Sequence, residues 1–413
     1  VSRRIVVLDS SDGPAVLAAL RAALTEGGPA VIPRAFAAPG AGSGWPTEND
    51  QVPQNVALIV ETSGSTGVPK RVALSADALL ASAAASAGAL GGQGQWLLAL
   101  PTHYIAGAQV LVRSLAAGTE PVSYGPGHFD AAEFARRCDD LTHDLRFVSL
   151  VPVQLARLVE ASEAGDRAVQ RALQRFDGVL IGGQALTPDL RERAEALGAR
   201  VIATYGSSET AGGCVYDGVP IGTTEVAEVD GMLRIAGPSL AEGYLDDPER
   251  TAAAFVEADG LRWYLTGDLG TVDGGRVTVL GRADNVIISG GEKVLLDAVE
   301  RSVRGIDGFG GAIVVGIPDD EWGTVPVVVV ERAGTRADPA RLDEGLDGVL
   351  EGDLATVRGR VAAELGRAAA PAAIVAVPRM PRLSSGKPDR VTVRAAAERI
   401  VSGEPSRSAG GAA

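Results

Sequence analysis

The chain has 413 residues, 46% of them apolar, and a formal net charge of −14. That length supports two or more domains with substantial cores, and the acidic balance argues against nucleic acid or an anionic membrane as a general partner. Two cysteines, Cys138 and Cys214, make no disulfide framework and fit a reducing, cytoplasmic interior. The first nine residues hold only a short apolar run before a charge, unlike a signal peptide. Residues 78–112, the least charged region, are too diluted by Gly, Ser, Gln and Pro for a membrane span.

In chain order, 5–8 reads as a strand and 14–24 as a helix with Pro14 in its first turn. Residues 35–53 are rich in Pro, Gly and polar side chains and read as a loop. The β-branched run 56–60 reads as a buried strand, and Ser75 as the N-cap of an Ala/Leu-rich segment. Between them lies Glu61-Thr62-Ser63-Gly64-Ser65-Thr66-Gly67-Val68-Pro69-Lys70. Its glycines let backbone N–H groups approach an anion, its hydroxyls add rotatable donors, and Lys70 supplies a charge at the far end. The set suits a polyphosphate and equally describes a polar surface loop; it lacks the Gly-Lys-Ser/Thr ending of a P-loop NTPase.

Strands at 96–100, 147–151, 179–181 and 201–204 alternate with helices at 106–117, 153–160 and 188–197. This rhythm predicts α/β layers with mostly parallel strands, whose ligands sit beyond the carboxyl ends of the strands. Loops after residues 60, 100, 181 and 204 lie at such ends. After residue 230 short strands at 233–235, 263–265 and 277–280 are separated by Gly/Asp turns, a β-rich texture. A smaller unit after Arg282 has strands at 312–315, 325–330 and 373–377 and helices at 296–304 and 354–365. The tail 401–413 is low in complexity and expected to be disordered.

Glu209, in Thr204-Tyr205-Gly206-Ser207-Ser208-Glu209-Thr210, is either a solvated surface carboxylate or, beside a polyphosphate, a natural Mg²⁺ ligand. Asp268, in a Gly-flanked turn, is either a turn-forming Asp or a carboxylate for ribose hydroxyls. Gly281-Arg282-Ala283-Asp284 lies where the texture changes and reads as a hinge over 282–284. Pro381-Arg382-Leu383-Ser384-Ser385-Gly386-Lys387 is a flexible loop with one lysine.

In this order the stretches resemble the adenylate-forming superfamily of acyl-CoA synthetases, peptide-synthetase adenylation domains and luciferases. The likeness runs from about residue 56 to 395 and also takes in Gly243-Tyr244, Ser289-Gly290-Gly291-Glu292-Lys293 and Pro318-Asp319-Asp320-Glu321-Trp322-Gly323. It implies an α/β protein with a large N-terminal domain, 1–281, of layered α/β subdomains plus a β-rich subdomain. A small, mobile C-terminal α+β domain, 285–400, would follow the hinge. It implies ATP, Mg²⁺ and coenzyme A. Thr62, Ser63, Gly64, Ser65, Thr66, Gly67 and Lys70 would grip the β- and γ-phosphates, with Glu209 holding Mg²⁺ and Ser208 facing the α-phosphate. Tyr205, Gly206 and the Gly182-Gly183-Gln184 turn would bind around adenine, and Asp268 and Arg282 the ribose. Lys387 would bridge the α-phosphate and the substrate carboxylate, while Ser289, Gly290 and Gly291 would later meet the pantetheine of CoA.

Three segments narrow the resemblance: Pro101-Thr102-His103-Tyr104-Ile105-Ala106-Gly107, Leu150-Val151-Pro152-Val153-Gln154-Leu155, and 209–218. They look like the actinobacterial 2-succinylbenzoate–CoA ligases of menaquinone biosynthesis. His103 would gate the acyl pocket, with Ser207 and Gly213 also lining it. Gln154 and Arg157, three apart on one predicted helix, are candidate anchors for the second carboxylate of a dianionic aromatic acid. The alternative is an adenylating ligase for another aryl or acyl acid in secondary metabolism. The expected partners are small molecules, in a monomer or homodimer.

Overall fold

The structure, a computed structural model, describes residues 2–25, 27–35, 50–62, 70–125, 127–332, 351–382 and 388–402. The chain divides into two compact units, one of Val1–Thr266 with Val272–Thr278 and one of Gly267–Thr271 with Val279–Ala413. The expected α/β class is borne out.

The first unit holds two large sheets. One is six-stranded, in the order Gly243–Tyr244, Lys70–Ser75, Val56–Thr62, Ala30–Arg34, Ser2–Asp9 and Gln51–Pro53. Its Val56–Thr62 strand is buried at every position from Val56 to Val60, the continuous apolar run that a strand covered on both faces requires. The other is seven-stranded, in the order Val219–Pro220, Gly212–Tyr216, Val201–Ser207, Gly178–Ile181, Arg146–Leu150, Gln95–Leu98 and Val122–Ser123. From Val201–Ser207 to Val122–Ser123 every neighbouring pair is parallel. A smaller antiparallel sheet pairs Glu225–Val229 with Met232–Ala236 and Phe255–Ala258 with the start of Leu261–Asp273, in the region where a β-rich texture is expected.

Two differences bear on the site. The segment after Thr62 returns at once as the strand Lys70–Ser75, antiparallel to Val56–Thr62, with Thr62 opposite Lys70. The hydroxyl-rich stretch therefore joins two strands of one hairpin, and the helix Ala76–Ala89 begins only after Ser75, whose Oγ accepts from the Ala78 N–H at 3.2 Å. Four helices are absent from the sequence reading, Ala131–Cys138, Arg167–Gln174, Pro248–Ala254 and Arg390–Ser402; the first two are short, so their apolar faces are brief. Their caps were nonetheless written in the chain, since Asp130 accepts from the Glu133 N–H and Asp166 from those of Ala168 and Val169.

In the second unit Gly323–Glu331 lies inside a five-stranded sheet and pairs with both Ile313–Asp319 and Ala373–Val377. Val314, Val328 and Ile374 face the helices Leu296–Arg304 and Glu351–Leu365. Alternate positions Val315, Val327 and Val375 face the helix Arg390–Ser402, as the two-residue period of a strand demands.

A buried ionic cluster ties these layers together. Glu300 accepts from Arg304 at 2.7 Å, from Arg390 at 2.8 Å and from the Val314 N–H at 3.0 Å, and Arg390 also donates to the Val314 carbonyl at 3.0 Å. Arg390 opens the last helix, and just before it the Asp389 N–H donates to the Pro381 carbonyl at 2.9 Å. Removing Glu300 takes the nearest carboxylate from two guanidinium groups, leaving Arg304 on the Ala312 carbonyl at 2.8 Å and Arg390 3.8 Å from Asp297. Glu300→Ala is expected to cost about 3 kcal/mol, the low end for breaking a buried ion pair because Arg390 is partly exposed; a lowered urea midpoint checks it.

Candidate active site

The strand Val201–Ser207 ends in a tight turn, Ser208–Thr210, and returns antiparallel as Gly212–Tyr216. The register shifts between Tyr205 and Gly206, bringing Gly206 opposite Gly213 and Ser207 opposite Gly212. A Cβ on Gly206 would lie 2.1 Å from the Gly212 carbonyl oxygen, so only glycine lets the two backbones close. The turn is held by Thr210, whose Oγ1 accepts from the Ser207 N–H at 2.9 Å and donates to the Gly212 carbonyl at 2.7 Å.

Within that turn Glu209 is only 6% exposed. Its backbone carbonyl accepts from the Ala241 N–H at 2.8 Å, and its carboxylate accepts from the Tyr244 hydroxyl at 2.9 Å. Burial first, and then the neighbouring Glu209 charge, push the Tyr244 phenol above its ordinary pKa, so it stays protonated and donates. Tyr244 stands on the edge strand opposite Val72, and Lys70 Nζ lies 5.3 Å from its ring centroid, within cation–π range. Thr62, Lys70, Tyr244 and Glu209 thus form one cluster. Ser208, beside Glu209, is buried as well.

A divalent cation fits this donor set. Glu209 offers a buried carboxylate that accepts from Tyr244, and among the described residues no group of three or more His, Cys, Asp or Glu encloses a metal. Glu209 would be the protein's carboxylate for such an ion, an oxygen donor of the kind Mg²⁺ prefers.

The Gly182-Gly183-Gln184 turn follows the strand parallel to Val201–Ser207. A Cβ on Gly182 would sit 2.5 Å from Thr204 Oγ1, and Gly183 takes φ +79°, so the turn packs closely on the strand residue before Tyr205. His103 Nδ1 lies 2.9 Å from Ser10 Oγ, while Nε2 is buried with no partner among the described residues. Burial lowers its pKa from the ordinary imidazole value, which favours the neutral ring. Gln154 and Arg157 part company. Gln154 is buried, its Oε1 accepting from the Val151 N–H at 3.0 Å and its Nε2 donating to the Ala99 carbonyl at 3.2 Å. Arg157 is exposed and donates to the Phe129 carbonyl at 3.1 Å.

In the second unit Arg282 lies 3.3 Å from Asp268 and donates from Nε and Nη2 to Asp284 at 3.2 Å each. Its backbone N–H is accepted by Asp297 at 3.0 Å. Ser289, Gly290 and Gly291 form the turn between the strands Val286–Ser289 and Glu292–Leu295, both glycines having positive φ, +56° and +85°. Gly290 is pressed on Trp322, since a Cβ would come 2.6 Å from the indole ring. Ser289 Oγ is buried with no partner among the described residues. Ser63, Gly64, Ser65, Thr66, Gly67 and Lys387 lie outside the described residues.

Sequence reasoning left Tyr244 without a role, quoting it only as part of a motif; its approach to Glu209 depends on two strands remote in the chain. Cys138 and Cys214 are both buried, their thiols pushed up to about 12, which removes them as nucleophiles. Among the described residues no helix is long and apolar enough to cross a membrane.

The chain matches the AMP-binding enzyme family over residues 9–245 and the AMP-binding enzyme C-terminal domain over residues 298–387. It is 39% identical over 353 residues to a Mycobacterium tuberculosis protein named probable 2-succinylbenzoate–CoA ligase, covering 83% of this chain and 85% of that one. With the 2-succinylbenzoate–CoA ligase of Salmonella typhimurium it shares 33% over 296 residues, 69% of this chain and 60% of that one. Among solved structures it resembles the o-succinylbenzoate CoA synthetase of Bacillus subtilis in complex with its acyl-adenylate intermediate. That likeness has a TM-score of 0.67 at 25% identity and covers 86% of this chain and 72% of that one. An Escherichia coli MenE variant with bound OSB-AMS gives 0.64 at 27%, covering 88% and 72%. Matched across more than half its length and to a relative well above 30% identity, the chain belongs to the AMP-binding enzyme family, among its AMP-forming acid–CoA ligases.

Proposed function

We propose that this chain is an ATP-dependent 2-succinylbenzoate–CoA ligase of menaquinone biosynthesis, acting in the cytoplasm with CoA as co-substrate. The observation that carries it is the 39% identity to the mycobacterial relative along 85% of that protein. The Lys70–Tyr244–Glu209 cluster at the strand ends supports it in chemistry.

In this reading ATP lies along the ends of the parallel strands, adenine beside Gly182–Gln184, Tyr205 and Gly206, and its β- and γ-phosphates on Thr62 to Lys70. Asp268 and Arg282 take the ribose. Glu209, oriented by Tyr244, would hold Mg²⁺, which would neutralise charge on the phosphates. The acid's own carboxylate attacks the α-phosphorus, a P–O bond forms and pyrophosphate leaves, so no protein nucleophile is spent. Fixed donors, Ser208 and Lys387 among them, face the charge that spreads over the phosphoryl oxygens. The CoA thiol then attacks the acyl carbon, AMP leaves, and Ser289, Gly290 and Gly291 line the thiol's approach. Neutral His103 packs at the acyl pocket with Ser207 and Gly213, where an imidazolium would attract the acid into an unproductive ion pair.

Gln154, with both amide ends on backbone, fixes the start of the helix Pro152–Glu163, which leaves Arg157, exposed and movable, as the anchor of the second carboxylate. That exposed anchor also favours a second reading, a ligase for a different aryl acid.

Acid-dependent ATP–pyrophosphate exchange decides between them. Exchange is expected with 2-succinylbenzoate and to fall by about 10²-fold or more in Lys387→Ala; exchange with benzoate or salicylate and none with 2-succinylbenzoate sinks the first reading. Arg157→Ala should raise the KM for the dianionic acid about tenfold, the loss of roughly one charged hydrogen bond, with the KM for ATP nearly unchanged. Tyr244→Phe keeps the ring under Lys70 but removes the donor to Glu209. It is expected to raise the Mg²⁺ concentration for half-maximal exchange by about five- to tenfold, and an unchanged Mg²⁺ titration would refute the orienting role.

A further inference from the structure

We infer that Ser82 and Gln109, neither part of any motif above, are positioning residues that clamp the turn carrying Glu209. The inference rests on the metal-binding role proposed for that carboxylate.

Ala211, immediately after the Ser208–Thr210 turn, takes φ +51° and ψ +36°, the left-handed region that a Cβ disfavours. It is fully buried. Its N–H closes the turn by donating to the Ser208 carbonyl at 3.1 Å. Its carbonyl is gripped from two sides, by Ser82 Oγ at 3.0 Å and by Gln109 Nε2 at 2.8 Å. The donors come from different helices, Ala76–Ala89 and Ile105–Ala117, and both side chains are buried. One helical turn further along each helix a second rung meets the same hairpin. Ser86 Oγ lies 2.7 Å from the Tyr216 hydroxyl, and Arg113 donates to that hydroxyl at 3.4 Å.

Gln109 is not placed for stability. Its Oε1 is buried with no partner among the described residues, and an unpaired buried acceptor costs more than an apolar side chain of the same shape. What the amide supplies is a donor, close to the Ala211 carbonyl at 2.8 Å and only at the 3.5 Å limit to that of Leu79. Without it the disfavoured backbone at Ala211 relaxes, and the relaxation passes through the Ser208 bond to Glu209, one residue away.

The test uses the full chain and compares wild type, Gln109→Met, Ser82→Ala and each of these combined with Ala211→Gly. Hydrogen–deuterium exchange of the amides of residues 208–213 is followed without nucleotide, and pyrophosphate exchange is followed over a Mg²⁺ titration. Gln109→Met is expected to speed amide exchange in that segment about tenfold and to raise the Mg²⁺ half-saturation about tenfold. The KM for the acid and the thermal midpoint should barely move. Ser82→Ala should shift both readouts in the same direction by less. Glycine enters the left-handed region freely, so Ala211→Gly should recover most of the lost Mg²⁺ sensitivity in either background. Unchanged amide exchange in both single variants, or a loss that Ala211→Gly leaves uncorrected in a folded protein, overturns the clamp. Should Gln109→Met fail to fold, Ser82→Ala, which removes one hydroxyl, decides it alone. A wild-type protein that exchanges with no acid defeats the proposed function, whereas the amide-exchange arm needs no substrate and still decides the clamp.

Discussion

A carboxylate withdrawn from water is costly unless donors are fixed around it, and the first unit is arranged to meet that demand at Glu209. The Tyr244 hydroxyl supplies the donor, and it can do so because burial and the adjacent charge keep it protonated. The strand bearing Tyr244 adds to the Lys70–Ser75 edge, so one hydrogen bond couples the end of the parallel sheet to the hairpin that delivers Lys70. A fixed carboxylate in low-dielectric surroundings attracts a cation more strongly than a solvated one does.

The glycines around this point serve approach rather than flexibility. Gly206 and Gly182 stand where a Cβ would strike the Gly212 carbonyl or Thr204, and their absence of side chain lets them pack closely on those neighbours. In the second unit Gly290 does the same against Trp322. There the Glu300–Arg304–Arg390 cluster takes the part that Tyr244 plays in the first, ordering the element that follows the segment of Lys387.

Much of the fold was legible because its signals are local. The unbroken apolar run 56–60, the strand–helix rhythm from 96 to 204 and Ser75 before an Ala/Leu-rich stretch each report on a few neighbouring residues. The helices Ala131–Cys138 and Arg167–Gln174 are hard to read because each is short and only three residues of each are buried. Their aspartate caps were the signal that could have found them.

The chain by itself determined its family resemblance and the chemical groups available: a hydroxyl- and glycine-rich stretch near Lys70, a carboxylate at Glu209, an aspartate in a Gly-flanked turn at Asp268. Those follow from residue types at short spacing, whereas the approach of Arg282 to Asp268 belongs to the structure. Tertiary structure alone decided that Tyr244 orients Glu209, that Gln154 turns inward while Arg157 stays in solvent, and that Ser82 and Gln109 meet at Ala211. Each of these joins residues to partners set by how strands and helices pack, 35, 55, 28, 129 and 102 positions apart along the chain. Hydrogen bonds across such separations are fixed by packing geometry, which no local pattern of residue types encodes.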